Sequence, residues 1–397
     1  MLDRVTIEQL GAAAGKGPIL VALSGGGDSL ALLHLLVERL GAQRLRAAIV
    51  DHALREGSAA DAARAAESAE AAGVGAYILT LTWPDGANRA QSAAREARYS
   101  VLCAHARALG AHVVATGHTR DDQAETVLLR AARGSGWRGL AAMAPLAPMP
   151  IWPEGRRLLL ARPLLVARRA DLRAYLGRRG VRWLEDPANA NPSFARVRAR
   201  AALAQLSAAG LEPMRFATLA ERLAPHARAL DDAALALIAH AVSFDQDNAV
   251  IDRDAWRGDE EVRVRALNAL LVAVGGSART PDARAGELAA AFTLSGALVR
   301  PTKHGVRISR DPGALAGRAD GARPPPPLEL TPGVETVWDN RVAVVAMEPG
   351  WSVIVESGAP WLARGAERRP FKALEPEWLL RPRVEHLLGR INDTKPV

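Results

Sequence analysis

The segment 19–40 constrains the fold of this chain more than any other. The apolar run Ile19 to Leu23 is followed by Ser24-Gly-Gly-Gly-Asp-Ser29 and then by the helix-like run Leu30 to Leu40. Three consecutive glycines can adopt positive φ and carry no side chains, so backbone N–H groups can converge on an anion at a helix start. A strand that breaks into such a loop and restarts as a helix predicts a phosphate site in an α/β domain.

The loop differs from a Walker A loop because no lysine follows it. Ser24 and Ser29 supply hydroxyl donors, and Asp28 is placed either to cap the helix or to face a bound Mg²⁺. The competing interpretation is a glycine-rich turn before an ordinary helix. The strand before the loop and the helix after it favour phosphate binding.

Four short apolar runs alternate with helical patterns between Pro18 and Thr116. They are Ile19 to Leu23, Arg46 to Val50, Ala76 to Leu81 and His112 to Thr116. This alternation predicts an α/β domain with a doubly wound, mainly parallel sheet and helices on both faces. Ligands bind beyond the carboxyl ends of the strands in such sheets, where the glycine loop and Gly117-His118 both fall.

The 397 residues are enough for two or three domains. We predict a catalytic domain over 1–200, a smaller, mainly helical domain over 201–315 and a C-terminal region with some strands over 328–397. Two hairpins are predicted, one from Ala297 to Ile308 and one from Thr336 to Met347 around Asp339-Asn340.

Composition limits the compartment and the chemistry. No apolar run reaches membrane-spanning length and the N-terminus lacks a signal pattern, which predicts a cytoplasmic protein without a membrane partner. Cys103 is the single cysteine, which excludes a site built on paired cysteines, and its helical context favours a buried structural role.

Positive charge is concentrated in one segment. The whole chain has a net charge of +8, and the segment 154–200 alone has twelve arginines against four acids. Such a block is typical of a polyanion-binding surface, although a solvated helical face would look the same.

A second polar motif lies at the end of the fourth predicted strand. In Gly117-His-Thr-Arg-Asp-Asp122-Gln-Ala-Glu125-Thr126, two acids are spaced i,i+3 and so share one helix face. Asp122 and Glu125 could hold Mg²⁺, hold an ammonium group or accept a proton from an attacking amine. The alternative is that they only complement the helix dipole. Arg95 and Arg98 also share a helix face, where they could meet developing negative charge or lie on the surface.

The motifs together resemble those of the bacterial tRNA(Ile)-lysidine synthetase family, which belongs to the pyrophosphate-loop ATP pyrophosphatases. Seven motifs occur in the family's order over residues 18–200: Ser24–Ser29, Asp51–Arg55, Arg95–Tyr99, Gly117–Thr126, Arg133–Leu140, Arg162–Leu165 and Trp183–Asn189. The family's arginine-rich motif corresponds to Arg196-Val-Arg198-Ala-Arg200. Val197 stands where the family usually has asparagine, so a contact made by that amide is not expected here.

The resemblance implies a ligase that joins free lysine to the wobble cytidine of an isoleucine tRNA with a CAU anticodon. It implies ATP and Mg²⁺ as cofactors, an adenylated cytidine intermediate, and release of AMP and pyrophosphate. The implied ATP-binding residues are Ser24, Gly25, Gly26, Gly27, Asp28 and Ser29.

The resemblance also implies roles for individual side chains. Asp28 would bind Mg²⁺ or the phosphates, and Arg98 would stabilise negative charge on the intermediate. The lysine ammonium would be held or deprotonated by Asp122 and Glu125. tRNA would be held by Arg196, Arg198 and Arg200 and by the mainly helical domain over 201–315.

Two alternatives belong to other classes: a tRNA thiolase of the same ATP-binding fold and a non-enzymatic nucleotide-binding module. A thiolase typically needs paired cysteines or a partner domain, and a binding module does not need the two acids after Gly117. The sequence leaves the oligomeric state open, with a homodimer among the alternatives.

Overall fold

The first sheet of the protein follows the predicted α/β pattern. The computed structural model describes residues 2, 4–83, 91–185, 191–277, 281, 288–317 and 324–389. Their contacts group the chain into two units that meet in sequence between Ala227 and Arg228. This grouping does not test the three predicted domains, whose boundaries stay predictions.

Six strands form the sheet of the first unit. They are β1 (Ile19–Ala22), β2 (Leu45–Asp51), β3 (Gly75–Thr80), β4 (Val113–Thr116), β5 (Leu146–Pro148) and β6 (Leu159–Ala161). The order is β3-β2-β1-β4-β6-β5, and β5 at the edge is the antiparallel member. The four predicted strands match β1 to β4 with ends that agree within one residue. Strands β5 and β6 were not predicted, because their three-residue lengths and the surrounding prolines carry no strand pattern.

Eight helices among the described residues belong to the same part of the chain, and some of them cover the two faces of the sheet. They are α1 (Arg4–Ala14), α2 (Gly27–Leu40), α3 (Ser58–Ala71), α4 (Gln91–Ala108), α5 (Arg120–Ala131), α6 (Trp137–Leu140), α7 (Arg169–Arg178) and α8 (Ala195–Ala208). Alternate strand residues enter different cores: Ile19 and Val21 pack with α1, α2, α3 and α7, while Leu20 packs with α4. A central strand with both faces buried therefore has the unbroken apolar sequence seen in β1. Helix α9 (Met214–Ala241) follows α8.

The second unit contains three antiparallel sheets. The first has the order β7-β8-β11-β10-β9, formed by β7 (Val242–Asp245), β8 (Asn248–Ile251), β9 (Phe292–Leu294), β10 (Ala297–Thr302) and β11 (Gly305–Arg310). Helix α10 (Glu260–Gly275) packs against this sheet and against α12 (Leu380–Leu387), and α11 (Pro312–Ala316) follows β11. Strands β10 and β11 confirm the hairpin predicted over Ala297 to Ile308.

The other two sheets share a smaller core. The four-stranded one has β12 (Leu328–Glu329), β15 (Ser352–Glu356), β16 (Ala359–Arg364) and β17 (Glu367–Pro370), and the three-stranded one has β13 (Thr336–Trp338), β14 (Val342–Val344) and β18 (Glu377–Trp378). Strands β13 and β14 confirm the hairpin around Asp339-Asn340, where both residues have positive φ. No helix among the described residues is both long and apolar enough to cross a membrane.

Candidate active site

The glycine loop, Ser24 to Ser29, leaves β1 and enters α2 at the carboxyl edge of the parallel sheet. Gly25 has φ +78°, and a β-carbon there would lie 2.7 Å from Leu184 Cδ1. Gly26 is the N-cap residue of α2 and has no side chain to fill the space before the helix. The α2 N-terminus thus presents backbone N–H groups and a positive dipole end without obstruction from Gly26.

The two loop serines brace the loop from within. The Ser29 hydroxyl donates to Gly26 O at 2.9 Å and accepts from the Ser24 N–H at 3.2 Å, and the two hydroxyl oxygens are 3.1 Å apart. Ser29 is buried and Ser24 is exposed. Their predicted role as phosphate ligands stays a prediction, and Ser24 has the accessible hydroxyl.

The turn after β4 packs directly against the start of α2. A β-carbon on Gly117 would lie 2.9 Å from Asp28 O and 3.0 Å from Ser29 Cα. Only glycine allows this approach, which brings the start of α5 next to the glycine loop. The two motifs that the sequence places 90 residues apart therefore meet in one site.

Arg169 lies at the centre of three carboxylates. Its Nε donates to Asp28 Oδ2 at 2.9 Å, its Nη2 donates to Asp122 Oδ1 at 3.1 Å, and its Nη1 is 3.5 Å from Glu125 Oε1. We call these three acids and Arg169 the carboxylate centre. Arg169 was not predicted as a site residue, because the sequence distinguishes it only by its place in the arginine-rich segment.

Backbone contacts hold Arg169 in this position. Its N–H, the first of α7, donates to Asp121 Oδ2 at 2.8 Å, and the Arg120 N–H donates to Ala167 O at 2.9 Å. The starts of α5 and α7 are tied together by this pair of hydrogen bonds. Asp121, which sequence reasoning left without a role, thus positions α7.

Asp122 is also a structural residue of α5. Its Oδ2 accepts from the Thr119 N–H and the Thr119 hydroxyl, both at 2.8 Å, in a capping box. One carboxylate oxygen of Asp122 therefore stabilises the start of α5, as the helix-dipole alternative expected, and the other oxygen accepts a hydrogen bond from Arg169.

Burial and charge act in opposite directions on the three acids. Burial raises the pKa of Asp28 more than Arg169 lowers it, and burial likewise raises the pKa of Glu125 against the effect of Arg200. Burial also disfavours ionisation of Asp122, yet Arg169 and the Thr119 N–H hold its pKa below the usual range. Asp122 is thus the acid most firmly held in its charged form.

Asp28 keeps one oxygen available. Its Oδ1 is buried and has no hydrogen-bond partner among the residues that the structure describes. No group of three or more histidine, cysteine or acidic side chains in the described parts of the chain is arranged to hold a metal ion. Mg²⁺ is usually held by one or two carboxylates together with substrate phosphates, which the single oxygen of Asp28 beside the glycine loop fits.

A group of basic side chains lies beside the two acids of α5. The charges of Arg162, Arg196 and Arg98 all act on His118, whose Nδ1 is 2.8 Å from the Thr116 hydroxyl oxygen. Burial, followed by the charge of Arg162, lowers the pKa of His118 to about 3, so the ring is neutral at physiological pH. We call these four residues the cation pocket.

Two guanidinium groups of the cation pocket each have one buried N–H donor without an acceptor among the described residues. Arg98 Nε and Arg162 Nε are buried without a hydrogen-bond acceptor in the described chain. Burial lowers the pKa of Arg162 to about 10. Arg98 and Arg95 both lie over the ring of the buried Tyr99, at 5.3 and 5.0 Å from its centroid. Buried, unpaired donors of this kind favour an anionic ligand.

The three arginines of α8 differ in their contacts. Arg200 Nε donates to Glu125 Oε1 at 2.6 Å, and Arg196 Nη1 is 3.6 Å from Asp122 Oδ1. Arg198 instead donates to Pro192 O and Ser193 O, at 2.9 and 2.7 Å. Two of the three therefore face the active site, and their predicted contact with tRNA stays a prediction.

A cavity of about 290 Å³ reaches Glu125 from the side of α8. Its charged wall includes Glu125, Arg169 and Arg200, and its apolar wall includes Leu203, Pro213 and Met214. Such a cavity suits a ligand with a methylene chain that ends in a cation.

Other residues of the predicted motifs belong to neither the carboxylate centre nor the cation pocket. Asp51 accepts from the Ala53 N–H at 2.9 Å, and Arg55 pairs with Asp61 of α3. Trp183 lies against Gly27, whereas Asp186 to Asn189 are outside the described residues.

The known proteins that are similar to this chain agree with one another in name and in domain type. The PP-loop domain model matches residues 3–207. The tRNA(Ile)-lysidine synthase of Caulobacter vibrioides is 36% identical over 393 residues, which cover 96% of this chain and 86% of the relative. That of Rhizobium meliloti is 36% identical over 362 residues, or 87% of this chain and 77% of the relative. The protein of the same name from Hyphomonas neptunium is 49% identical over 186 residues, which span half of that relative.

Proposed function

Because this chain belongs to the PP-loop family of tRNA(Ile)-lysidine synthases, we propose that it joins free lysine to the wobble cytidine of an isoleucine tRNA with a CAU anticodon. The observation that carries the proposal is the contact between the glycine loop and the acids of α5, made through Arg169. One site then holds both a nucleotide and a cationic amine. The cytoplasm, where tRNA is found, is the predicted compartment.

The chemistry needs activation before substitution. The oxygen at position 2 of cytosine is a poor leaving group until it carries AMP. In the first step this oxygen attacks the α-phosphorus of ATP and pyrophosphate leaves; in the second, the lysine ε-amine attacks ring carbon 2 and AMP leaves. The glycine loop supports the first step by holding the phosphates at the α2 N-terminus.

Asp28 is the residue of this chain that fits Mg²⁺. Its partnerless Oδ1 lies in the first turn of α2, next to the loop that would hold the phosphates. Bound there, the ion would offset charge on the departing pyrophosphate.

Glu125 and the cavity beside it fit free lysine. The apolar wall of Leu203, Pro213 and Met214 suits the four methylenes of the side chain. Glu125 is only 1% exposed and would meet the ammonium at the inner end. A carboxylate at that point can also take the proton that the amine must lose before it attacks.

The cation pocket fits the phosphate of the adenylated intermediate. Arg98 Nε and Arg162 Nε are buried donors that have no acceptor among the described residues, and His118 is neutral. A neutral imidazole there can donate or accept a hydrogen bond without adding charge. Arg98 keeps its proposed role of stabilising negative charge during activation.

The thiolase alternative has little support from the residues. Cys103 is the single cysteine, is fully buried in the α4 core, and its pKa is raised to about 12 by burial. A thiol in that state is a poor nucleophile and a poor metal ligand. A pure nucleotide-binding module would not need an acid cluster beside the phosphate loop.

The test is to incubate the protein with total tRNA, ATP, Mg²⁺ and labelled lysine, and to follow the label into RNA. We expect labelling only when ATP is present, and one AMP and one pyrophosphate per lysine incorporated. Label in the absence of ATP, or ADP as the main tRNA-dependent nucleotide product, would exclude this reaction. Glu125→Gln provides the variant with impaired lysine incorporation, and Glu221→Gln, which alters an exposed acid of α9, provides the control with unaltered incorporation.

A further inference from the structure

We infer that Arg169 is an internal cation that occupies the lysine site in the nucleotide-free protein and leaves it when ATP phosphates bind. Nucleotide binding would then open the site for the amine. This inference rests on the proposed function, because it takes lysine as the ligand of Glu125.

The first support is the number of acids that share one guanidinium. Arg169 contacts Asp28 of α2 and both Asp122 and Glu125 of α5, at 2.9 to 3.5 Å. Its pKa is raised: although burial lowers it, the charge of Asp122 and the hydrogen bond to Asp28 outweigh that effect. Glu125 Oε1 is 2.6 Å from Arg200 Nε and 3.5 Å from Arg169 Nη1, so a lysine ammonium bound there would be a third cation at this carboxylate. Departure of Arg169 would lower the repulsion that the ammonium meets.

The second support is that the Arg169 side chain is more exposed than the acids with which it pairs. The side chain of Arg169 is 21% exposed, whereas those of Asp122 and Glu125 are 8% and 1% exposed. Arg169 also lines the 290 Å³ cavity that ends at Glu125. The guanidinium therefore covers the acids that an incoming ammonium must reach.

The third support is a nearby anion site, where bound phosphates could pair with the Arg169 guanidinium in place of the acids. Arg169 Nε already contacts Asp28, which lies one residue beyond the last loop glycine. Phosphates at the glycine loop would offer a more highly charged partner within a short side-chain movement. The backbone of Arg169 stays fixed at Asp121, so the exchange needs rotation of the side chain and no movement of α7.

The experiment measures lysine binding by equilibrium dialysis, with and without the uncleavable analogue α,β-methylene-ATP and Mg²⁺. For the unaltered protein, we expect lysine to bind about tenfold more tightly with the analogue, and by linkage the analogue to bind about tenfold more tightly with lysine. In Arg169→Gln, lysine should bind tightly without the analogue, and the coupling should fall to less than about twofold.

Arg173→Gln is the matched control. Arg173 lies one turn further along α7, where it pairs with the exposed Glu185 and covers Trp183. The coupling should remain about tenfold in this variant. If Arg169→Gln is folded but loses lysine binding, Arg169 is a lysine ligand or a structural clamp and the inference is wrong.

A second measurement observes Arg169 itself in the unaltered protein, in case Arg169→Gln does not fold, and needs a variant only to assign the signal. In protein labelled with ¹⁵N-arginine, the Nε–H signal of Arg169, assigned with Arg169→Lys, should shift when the analogue is added without lysine. An unchanged signal would overturn the inference. If tRNA labelling succeeds while the coupling is absent, the inference fails and the proposed function stands; if no lysine binds in either state, both fail.

Discussion

At the scale of single residues, the acids of the carboxylate centre differ in what else they do. Asp122 caps α5 through one oxygen, Asp28 keeps one oxygen without a partner in the described chain, and Glu125 pairs with Arg200. Substitutions at these three positions should therefore have different effects, even though the side chains share Arg169.

Replacing Glu125 by glutamine should separate the two chemical steps. The amide keeps the shape and one acceptor for Arg200 but loses the charge that would hold an ammonium. We expect lysine use to fall at least about tenfold, or about 1.4 kcal/mol, while adenylation continues, so that adenylated tRNA accumulates. Quenched time courses with labelled ATP and labelled lysine measure both steps. Equal loss of both would indicate that Glu125 serves Mg²⁺ or the fold.

Replacing Gly26 by alanine should affect ATP without affecting the fold. The new β-carbon would meet Ser24 Oγ at 3.4 Å and Leu184 O at 3.9 Å, which are ordinary contacts within the described structure. The methyl group would enter the space that the phosphates need, so the ATP dissociation constant should rise about tenfold or more, or about 1.4 kcal/mol. Calorimetric titration measures the constant, and Gly11→Ala in α1 is the control. An unchanged ATP dissociation constant in Gly26→Ala would show that the glycine loop is not part of the ATP site.

At the scale of elements, the junction between β4 and α5 against α2 is the contact that assembles the site. Gly117 allows it because a β-carbon at this position would lie only 2.9 to 3.0 Å from backbone atoms of Asp28 and Ser29. Two helix starts, each with its own acid, are thereby brought to Arg169 of α7.

Gly117→Ala should therefore destabilise the protein as well as inactivate it. A β-carbon 2.9 to 3.0 Å from backbone atoms forces the helix starts apart, which should cost about 1 to 3 kcal/mol of unfolding free energy. Urea denaturation followed by circular dichroism measures this. Gly136→Ala is the control, since its β-carbon would have no described atom within 4 Å. A Gly117→Ala protein of unaltered stability would contradict the close approach.

At the scale of the whole molecule, charge is expected to govern tRNA affinity. The arginine excess of 154–200 lies in the same unit as the active site, yet several of its members have internal partners. Arg200 and Arg196 face acids, and Arg198 holds the turn before α8. Fewer arginines of this segment are therefore available to bind phosphate than the twelve in the sequence suggest.

Replacing Arg196, Arg198 and Arg200 together by alanine should weaken tRNA binding for all sequences. Each phosphate contact that is lost should lower the slope of log affinity against log salt by roughly 0.7 to 0.9. Binding measured at several salt concentrations gives the slope, and ATP affinity should stay near normal. Unchanged affinity and slope would mean that these arginines are structural and that tRNA binds through other residues.

Some features of the protein were determined by local sequence. The strand, glycine loop and helix at 19–40 were predicted because φ preference, apolar patterning and the helix dipole act over a few neighbouring residues. Asp122 and Glu125 were predicted to share a face because the helical repeat places residues three apart on one side. The two hairpins around Lys303 and Asp339 likewise follow from local alternation and turn residues.

Only the tertiary structure decided which of these pieces meet. Arg169 is one arginine among twelve in its segment, and no local pattern distinguishes it from Arg168 or Arg173. Its role comes from contacts across 141, 47 and 44 positions of sequence, made possible by the packing of α2, α5 and α7. Strands β5 and β6, the burial of Arg162 and the burial of Arg98 Nε likewise depend on contacts between distant parts of the chain. Long-range packing sets the surroundings of a charge, and the surroundings decide whether that charge is solvated, paired or held ready for a ligand.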